Sequence, residues 1–282
     1  MSDPPTRQAA AQPPGTLAEC IERLAATTAI LRAPGGCPWD RRQTHQSLRS
    51  ALIEECYEVV EAIDSRSPQH LREELGDLLR HTLIHSQIAA ENDECTLEQV
   101  MRELHDKLVR RHPHVFGDQR ADDPESVVRL WESVKSAEKS ERTSAMDGIP
   151  PAMPSLMRAE KAGKKAARAG FDWPGAAGVI EKIREEADEI EEALGRGDQA
   201  AAAGEVGDLL FTVANLSRHL KCEGELLLHQ ATDKFIRRFR ALEARLAASG
   251  RSPDDCTPGE LESLWREIKS EEAASTAGAG TH

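Results

Sequence analysis

The sequence predicts an all-α protein made of two copies of one helical unit. Aromatic residues are only 4% of the 282 residues, so the aromatic enrichment that is typical of β-sheets is missing. Apolar residues recur at helical spacing in several segments, and one series of short motifs occurs twice in the same order. Together these observations predict a tandem duplication of an all-helical unit.

A helical hairpin is predicted in the middle of each copy. In the second copy, residues 180–194 and 205–220 each place apolar side chains on one helical face, and the glycine-rich loop between them predicts an antiparallel hairpin. In the first copy, residues 52–63 and 71–90 follow the same plan, separated by a break that ends at Pro68.

Four motif pairs define the repeat. The pairs are Glu54-Glu55-Cys56-Tyr57-Glu58 with Glu185-Glu186-Ala187-Asp188-Glu189, Glu74-Leu75-Gly76-Asp77-Leu78-Leu79 with Glu205-Val206-Gly207-Asp208-Leu209-Leu210, Asp106-Lys107-Leu108-Val109-Arg110-Arg111 with Asp233-Lys234-Phe235-Ile236-Arg237-Arg238, and Trp131-Glu132-Ser133-Val134-Lys135 with Trp265-Arg266-Glu267-Ile268-Lys269. The first two pairs lie 131 residues apart, the third 127 and the fourth 134. The shared order, with offsets that differ by only a few residues, exceeds chance and indicates a duplication.

Composition gives the boundaries of the two copies. Both ends of the chain have little to bury, and a segment with three prolines separates the copies. We therefore predict a disordered tail at 1–16, an N-terminal unit at 17–139, a linker at 140–154, a C-terminal unit at 155–271 and a second disordered tail at 272–282.

The charge balance restricts the partners. The chain has 49 acidic and 36 basic side chains and a formal net charge of −13, which argues against sequence-independent binding of duplex nucleic acid. No stretch approaches the roughly 18 consecutive apolar residues of a membrane span, and the N-terminus lacks the order of a signal peptide. We therefore predict a cytoplasmic protein with neither duplex nucleic acid nor a membrane as partner.

Each hairpin carries two pairs of carboxylates, one pair on each of its two helices. In the second copy, Glu186 and Glu189 border the apolar stripe of the first helix, and Glu205 and Asp208 border that of the next on the same flank. Four such carboxylates repel one another unless cations neutralise them. An all-oxygen, anionic site suits Mg²⁺ or Mn²⁺, which also bind phosphates. A solvated surface is the alternative for any single pair, but the repetition favours a metal site.

The two later motifs add cations and an aromatic ring. Lys234 and Arg238 are four residues apart on one helical face and can clamp phosphate oxygens. Trp265 and Lys269 have the same spacing and can offer a stacking surface and a further cation. A solvated basic face and an ordinary core tryptophan are the alternatives.

Two histidines suggest a weaker hypothesis. His81 and His85 are four residues apart and could share a zinc ion. No acidic partner completes an H-E-x-x-H pattern, so a helix that is partly core and partly surface is the better interpretation.

At these motifs, and at Gly36-Cys37-Pro38-Trp39-Asp40 and Arg110-Arg111-His112-Pro113-His114-Val115-Phe116, the sequence resembles the MazG nucleoside triphosphate pyrophosphohydrolases in their two-domain form. The resemblance covers residues 17–271. It implies all-α MazG-like units of four-helix-bundle type on dimerisation, a homodimer and Mg²⁺ dependence, with Mn²⁺ as a possible substitute. It also implies hydrolysis of nucleoside triphosphates to monophosphate and pyrophosphate, with little base selectivity, as nucleotide-pool housecleaning. In the family, the C-terminal unit is credited with catalysis.

The resemblance also implies roles for individual residues. The metal ligands would be Glu186, Glu189, Glu205 and Asp208, and the catalytic carboxylates would be Glu185, Glu186 and Glu189, with Glu185 or Glu189 orienting the attacking water. The nucleotide contacts would be Lys182, Lys234, Arg238, Trp265 and Lys269, of which Lys234 and Arg238 would stabilise the departing pyrophosphate. A possible second site in the N-terminal unit comprises Glu54, Glu55, Glu58, Glu74, Asp77, Lys107, Arg111, Trp131 and Lys135.

Two other functions remain open at the level of sequence. Related helical folds with similar carboxylate hairpins hydrolyse one preferred nucleotide, such as dUTP, dCTP or phosphoribosyl-ATP. A helical regulatory module that binds nucleotide without hydrolysing it would bind saturably but release no pyrophosphate.

Overall fold

The computed structural model describes residues 15–138 and 143–279 of the chain. These residues form α-helices, two short 3₁₀ turns and no strand, which confirms the all-α prediction. The first unit contains α1 (Leu17–Arg32), α2 (Arg49–Asp64), α3 (Pro68–Glu91), α4 (Leu97–Arg111), α5 (Pro113–Phe116) and α6 (Pro124–Ala137). The second contains α7 (Ser155–Arg168), α8 (Ala176–Gly195), α9 (Gln199–His219), α10 (Gly224–Ala248) and α11 (Pro258–Ala279). None of these helices is long and apolar enough to cross a membrane.

The chain forms two compact units, Met1–Ser140 and Glu141–His282. The division falls at the start of the segment that the sequence assigns to a linker, 140–154. The part of this segment from residue 143 belongs to the second unit, where Lys165 Nζ on α7 donates to the carbonyl oxygens of Ala145 at 2.8 Å and Asp147 at 3.1 Å.

The two predicted tails have different outcomes. Residues 1–14 lie outside the described residues, and Thr16 caps the start of α1 by accepting a hydrogen bond from the backbone N–H of Glu19. At the other end, α11 continues to Ala279, so residues 272–279 are helical rather than an unstructured tail as predicted. Glu272 contributes to this extension because it pairs with Arg237 and Arg238 of α10.

The first unit is organised around the predicted hairpin of α2 and α3. Arg66 adopts a positive φ of 53° in the connecting turn, and the Ser67 hydroxyl then accepts from the N–H of His70 to cap α3. Helices α1 and α4 pack against α3, and α6 packs against α4. Leu48, Ile84 and Ile88 form a buried apolar cluster beside this hairpin.

The second unit repeats this plan in α8 and α9. Gly197 supplies the positive φ of 73° that the turn requires, and the Asp198 carboxylate caps α9 by accepting from the N–H of Ala201. Helix α7 packs against α9, and α10 pairs with α11 around Leu242, Leu246 and Ile268. The hairpin therefore has a packed support on one side, which holds the two helices in register.

A close approach between α7 and α9 depends on glycine. Asn215 of α9 is fully buried, and its amide donates to the carbonyl oxygen of Phe211 at 3.0 Å. A Cβ placed at Gly163 of α7 would lie 1.8 Å from Asn215 Oδ1. A side chain at residue 163 would therefore force the buried Asn215 amide to move.

We expect Gly163→Ala to lower the melting temperature. The added methyl group displaces a buried, hydrogen-bonded amide, at a cost of about 1–3 kcal/mol that exceeds the helix propensity gained by alanine. Gly204→Ala on α9 is the matched control, because nothing lies within 4 Å of its added Cβ. Thermal unfolding followed by circular dichroism checks both variants. A melting temperature of Gly163→Ala at or above wild type would contradict this account of the contact.

Candidate active site

The carboxylates predicted on α8 and α9 meet across the hairpin. One oxygen each from Glu186, Glu205 and Asp208 can be chosen so that all three lie within 4.8 Å of one another. Glu186 is only 3% exposed, Glu205 is half-buried and Asp208 is exposed. The cluster is therefore buried on the side of Glu186 and open to solvent on the side of Asp208, as a site that receives a ligand from solvent requires.

This donor set fits a hard divalent cation. Mg²⁺ takes oxygen ligands at about 2.0–2.1 Å in an octahedron, which places ligand oxygens about 3–4 Å apart. The three carboxylates approach that spacing before any ion is bound, and they present no nitrogen or sulfur ligand that would favour zinc. Mn²⁺ accepts the same oxygen ligands. Small side-chain movements would complete three positions of a coordination sphere and leave the others to water or phosphate.

Lys182, a nucleotide contact according to the resemblance, lies next to the cluster. Its Nζ lies 2.7 Å from Glu185 Oε1 and 2.9 Å from Glu186 Oε1, all on α8. Hydrogen bonds to Glu185 and then to Glu186 raise the pKa of Lys182 above its usual range. Lys182 therefore partly neutralises the buried carboxylate, and a nucleotide contact by this side chain stays a prediction.

Glu189 lies beside the cluster but not in it. The set of three oxygens within 4.8 Å does not include Glu189. Partial desolvation is the largest cause that raises the pKa of Glu189. The charges of Glu205 and Glu186 also raise it, whereas the charge of Lys182 lowers it. A carboxylate with a raised pKa near a metal site suits proton transfer better than tight metal ligation. Metal ligation by Glu189 stays a prediction.

The predicted phosphate-binding and stacking residues lie on α10 and α11. Arg238 Nε donates to Glu272 Oε2 at 2.5 Å, and the Trp265 ring packs against Phe235 with the ring centroids 5.2 Å apart. Trp265 also contacts the apolar cluster between these helices, and its ring is only partly exposed. Lys234 and Lys269 are exposed. Within residues 143–279, no hydrogen bond or ion pair joins this group to the carboxylates of the hairpin.

The first unit brings together a related but different carboxylate set. Its three close oxygens belong to Glu55, Glu58 and Glu74, whereas Asp77 is absent from the set and Glu54 is exposed. Desolvation and the charges of Glu74, Glu55 and Glu54 raise the pKa of Glu58.

The cations of the first unit gather around its tryptophan. Lys135 Nζ lies 4.5 Å and the Arg111 guanidinium carbon 5.2 Å from the centroid of the Trp131 ring. Arg111 and Arg110 both pair with Glu138 at 2.6 Å, and Lys107 is half-buried on α4. Because two cations lie over the ring of Trp131, less of this ring is open for stacking.

The histidines form a group of their own. His85 Nδ1 is 2.8 Å from His45 Nδ1, and His81 is buried without a hydrogen bond, its Nε2 3.6 Å from Glu55 Oε1. Burial is the main cause that lowers the pKa of His81 and of His85, which favours neutral rings. Across the part of the chain that the structure describes, only the two carboxylate sets bring three possible ligand atoms within 4.8 Å. The histidines belong to neither set.

Comparison with known proteins agrees with this architecture. A family model for the MazG nucleotide pyrophosphohydrolase domain matches residues 43–116 and 176–242, one segment in each unit and each containing a carboxylate hairpin. The chain belongs to the MazG family. This membership confirms the resemblance proposed from the sequence motifs and the tandem arrangement of two MazG-like units.

Two curated members of the family are similar to the chain over nearly their whole length. The nucleoside triphosphate pyrophosphohydrolase/pyrophosphatase MazG of Thermotoga maritima is 43% identical over 250 residues, which are 88% of this chain and 95% of the relative. The nucleoside triphosphate pyrophosphohydrolase of Escherichia coli is 40% identical over 257 residues, which are 89% of this chain and 98% of the relative.

Two acidic residues that sequence reasoning missed hold the arginines of the phosphate-binding motifs. Glu138 pairs with Arg110 and Arg111, and Glu272 pairs with Arg237 and Arg238 in the same way. Glu138 and Glu272 lie 134 residues apart, the same offset as the two tryptophan motifs. That offset was the signal that could have identified them.

We expect these ion pairs to make the stability of the protein acid-sensitive. Hydrogen bonds from Arg111 and Arg110 lower the pKa of Glu138 from 4.5 to about 2, and the pKa of Glu272 is lowered in the same way by Arg237 and Arg238. A lowered pKa in the folded state means that the pair stabilises the fold above pH 4.5 and loses this contribution as the pH falls towards 2.

Melting temperatures between pH 6 and pH 2, measured for the wild type and for Glu138→Gln/Glu272→Gln, check this expectation. The difference between the two proteins should be largest at pH 6 and shrink on acidification. A difference that is independent of pH would show that the carboxylate charges do not stabilise the fold.

Proposed function

We propose that the C-terminal unit hydrolyses nucleoside triphosphates to the monophosphate and pyrophosphate, using Mg²⁺ held by Glu186, Glu205 and Asp208. As a member of a family of nucleotide pyrophosphohydrolases, the chain is a hydrolase of phosphoric anhydride bonds. The observation that carries the proposal is the meeting of three carboxylates from two helices within 4.8 Å. The three carboxylates repel one another, and a bound cation reduces this repulsion in the folded protein.

In the proposed reaction, a water molecule attacks the α-phosphorus and the bond to the oxygen that bridges the α- and β-phosphates breaks. A bound Mg²⁺ supplies charge neutralisation of the triphosphate and a water of lowered pKa. Glu189 would accept a proton from the attacking water, since it lies beside the cluster and its carboxylate is not one of the three clustered ligands. Glu185 is the alternative base, but its pairing with Lys182 at 2.7 Å makes it less available.

Arg238 and Lys234 would stabilise the departing pyrophosphate. Glu272 pairs with the partly buried Arg238 side chain, so its guanidinium is oriented before substrate arrives. Trp265 and Lys269 would contact the nucleoside end. Because every base has a π-face, stacking on Trp265 tolerates different bases, which supports broad base specificity. We propose that this activity serves nucleotide-pool housecleaning in the cytoplasm.

The proposed site draws on two copies of the chain. In a single chain, no hydrogen bond or ion pair among residues 143–279 links the carboxylates to the arginine and tryptophan group. Val206, Leu210 and Val213 form an exposed apolar row along α9, beside the cluster. Leu75 and Leu79, the counterparts of Val206 and Leu210, are exposed on α3 in the same way. We therefore propose a homodimer in which these rows meet and complete helical bundles.

Glu186→Gln and Asp208→Asn should each lower kcat/KM for nucleoside triphosphates by about 100-fold or more, because each removes a charged ligand of the metal. Glu192→Gln is the matched control, since Glu192 is an exposed glutamate on the same helix that pairs only with Arg196 at 3.6 Å among the described residues. Pyrophosphate release with a panel of triphosphates, with Mg²⁺, with Mn²⁺ and after chelation, is the measurement.

Activity near wild type in both cluster variants would refute the assignment of this cluster. A single preferred nucleotide in the panel would replace broad specificity by a selective pyrophosphatase of the dUTP, dCTP or phosphoribosyl-ATP kind. Saturable binding without pyrophosphate from any nucleotide would indicate a regulatory module.

The wild type should have the mass of two 30.9 kDa chains in solution. Leu79→Glu/Leu210→Glu should shift it towards the monomer and lower activity, because each substitution places a charge in an apolar contact. Arg184→Glu, an exposed position on α8, should leave the mass unchanged. Light scattering after size-exclusion chromatography distinguishes these outcomes, and a monomeric wild type would contradict the dimer.

A further inference from the structure

The two carboxylate clusters share two members and differ in the third. Glu55 and Glu74 in the first unit correspond to Glu186 and Glu205 in the second at the offset of 131 residues. The third member is Glu58 in the first unit but Asp208 in the second, although Asp77 is the counterpart of Asp208. The same motif therefore produces two different local arrangements.

Arg80 lies where the two arrangements differ. Its guanidinium lies 3.3 Å from Glu55 Oε1 through Nη2 and 3.6 Å from Asp77 Oδ1 through Nε. Arg80 and Asp77 are on α3 and Glu55 is on α2, so the cation spans the hairpin at the cluster itself. Asp77 faces this guanidinium and contributes no oxygen to the group of three.

The second unit has no such cation at the same place. The counterpart of Arg80 is Phe211, and within residues 143–279 no basic side chain comes within ion-pair distance of Glu205 or Asp208. Lys182 is the cation that pairs with the cluster, but it lies on α8, and among the described residues its ion pairs are with Glu185 and Glu186 of its own helix. The counterpart of Lys182 in the first unit is Ala51.

We propose that the Arg80 guanidinium is a built-in cation that takes the place of a divalent metal ion in the first unit and so restricts metal binding to the second. The inference rests on the proposed function only in that it takes Glu186, Glu205 and Asp208 as the metal-binding cluster. Arg80 thereby decides which of the two duplicated hairpins is a metal centre.

The physical basis is a competition between two kinds of positive charge. An arginine remains protonated at any physiological pH, and its fork of N–H donors matches carboxylate oxygens. A divalent ion entering the first cluster would either displace the guanidinium from Glu55 and Asp77 or lie close to its like charge. Both alternatives weaken metal binding. In the second unit the equivalent residue is Phe211, whose uncharged ring neither pairs with the carboxylates nor repels the ion.

Binding of Mn²⁺ alone, measured without nucleotide from the electron paramagnetic resonance signal of the free ion, tests the proposal. As a single substitution, Asp208→Asn should abolish most of the tight Mn²⁺ binding of the wild type, whereas Glu58→Gln alone should leave it in place. In the Asp208→Asn background, Arg80→Gln should tighten the remaining Mn²⁺ binding by about tenfold or more. Adding Glu58→Gln should remove the gain, because Glu58 belongs to the cluster that the Arg80→Gln substitution makes available to the ion.

Arg80→Lys in the same background is the matched control, because it keeps the charge and should gain nothing. Arg80→Phe, which installs the residue found in the second unit, provides a second route to the gain, and circular dichroism of each variant verifies folding. The converse substitution, Phe211→Arg in the otherwise wild-type chain, should weaken Mn²⁺ binding.

The inference is overturned if Asp208→Asn retains tight Mn²⁺ binding that Glu58→Gln removes, or if folded Arg80→Gln and Arg80→Phe gain none. Failure of the proposed function has a different signature, since Mn²⁺ binding would then follow the expected pattern while Glu186→Gln and Asp208→Asn kept pyrophosphate release near wild type. Because the gain is scored in the Asp208→Asn background, the role of Arg80 is decided in either case.

Discussion

Repulsion among carboxylates that two helices bring together is the constraint on which the rest of the structure depends. Glu186 is 3% exposed and Glu74 is 9% exposed, so each hairpin holds an acidic group where water cannot solvate it fully. A buried charge without a partner is strongly unfavourable, and these carboxylates are tolerated only beside cations. The surrounding helices must therefore hold the hairpin rigidly while leaving one side open for positive charge.

The packing of the second unit meets this requirement. The Asp198 cap starts α9 at the turn, and the contact between Gly163 and Asn215 fixes α7 against the far part of the same helix. With α9 held at both places, Glu205 and Asp208 keep their position opposite Glu186. The second helical pair, α10 and α11, is held by the apolar cluster around Leu242 and by the pairing of Glu272 with its two arginines. The fold thus fixes the acidic and the basic groups independently.

Sequence periodicity was sufficient for the helices, the hairpins and the duplication, because a helical face depends on spacing alone. It also indicated Glu186, Glu205 and Asp208, which border the apolar stripes of the two hairpin helices and therefore lie close together when the hairpin packs. It could not decide the rest of the site. Whether Glu189 joins the cluster, and whether Lys182 turns towards a carboxylate or towards substrate, depends on rotamers that spacing does not specify. The extension of α11 beyond residue 271 was missed because its support is a long-range ion pair, which local composition does not reveal.

The duplication makes the electrostatic requirement visible, because two hairpins of the same design meet it differently. In the first unit, positive charge comes from the chain itself, through Arg80 between Glu55 and Asp77. In the second, Lys182 neutralises only the α8 side, and the carboxylates of α9 have no ion-pair partner among residues 143–279. A folded chain that leaves such charges uncompensated is stabilised by any cation that binds there, since binding to the folded state alone shifts the unfolding equilibrium. The second hairpin would therefore gain stability from the ion that the proposed reaction requires, whereas in the first hairpin Arg80 already supplies a positive charge.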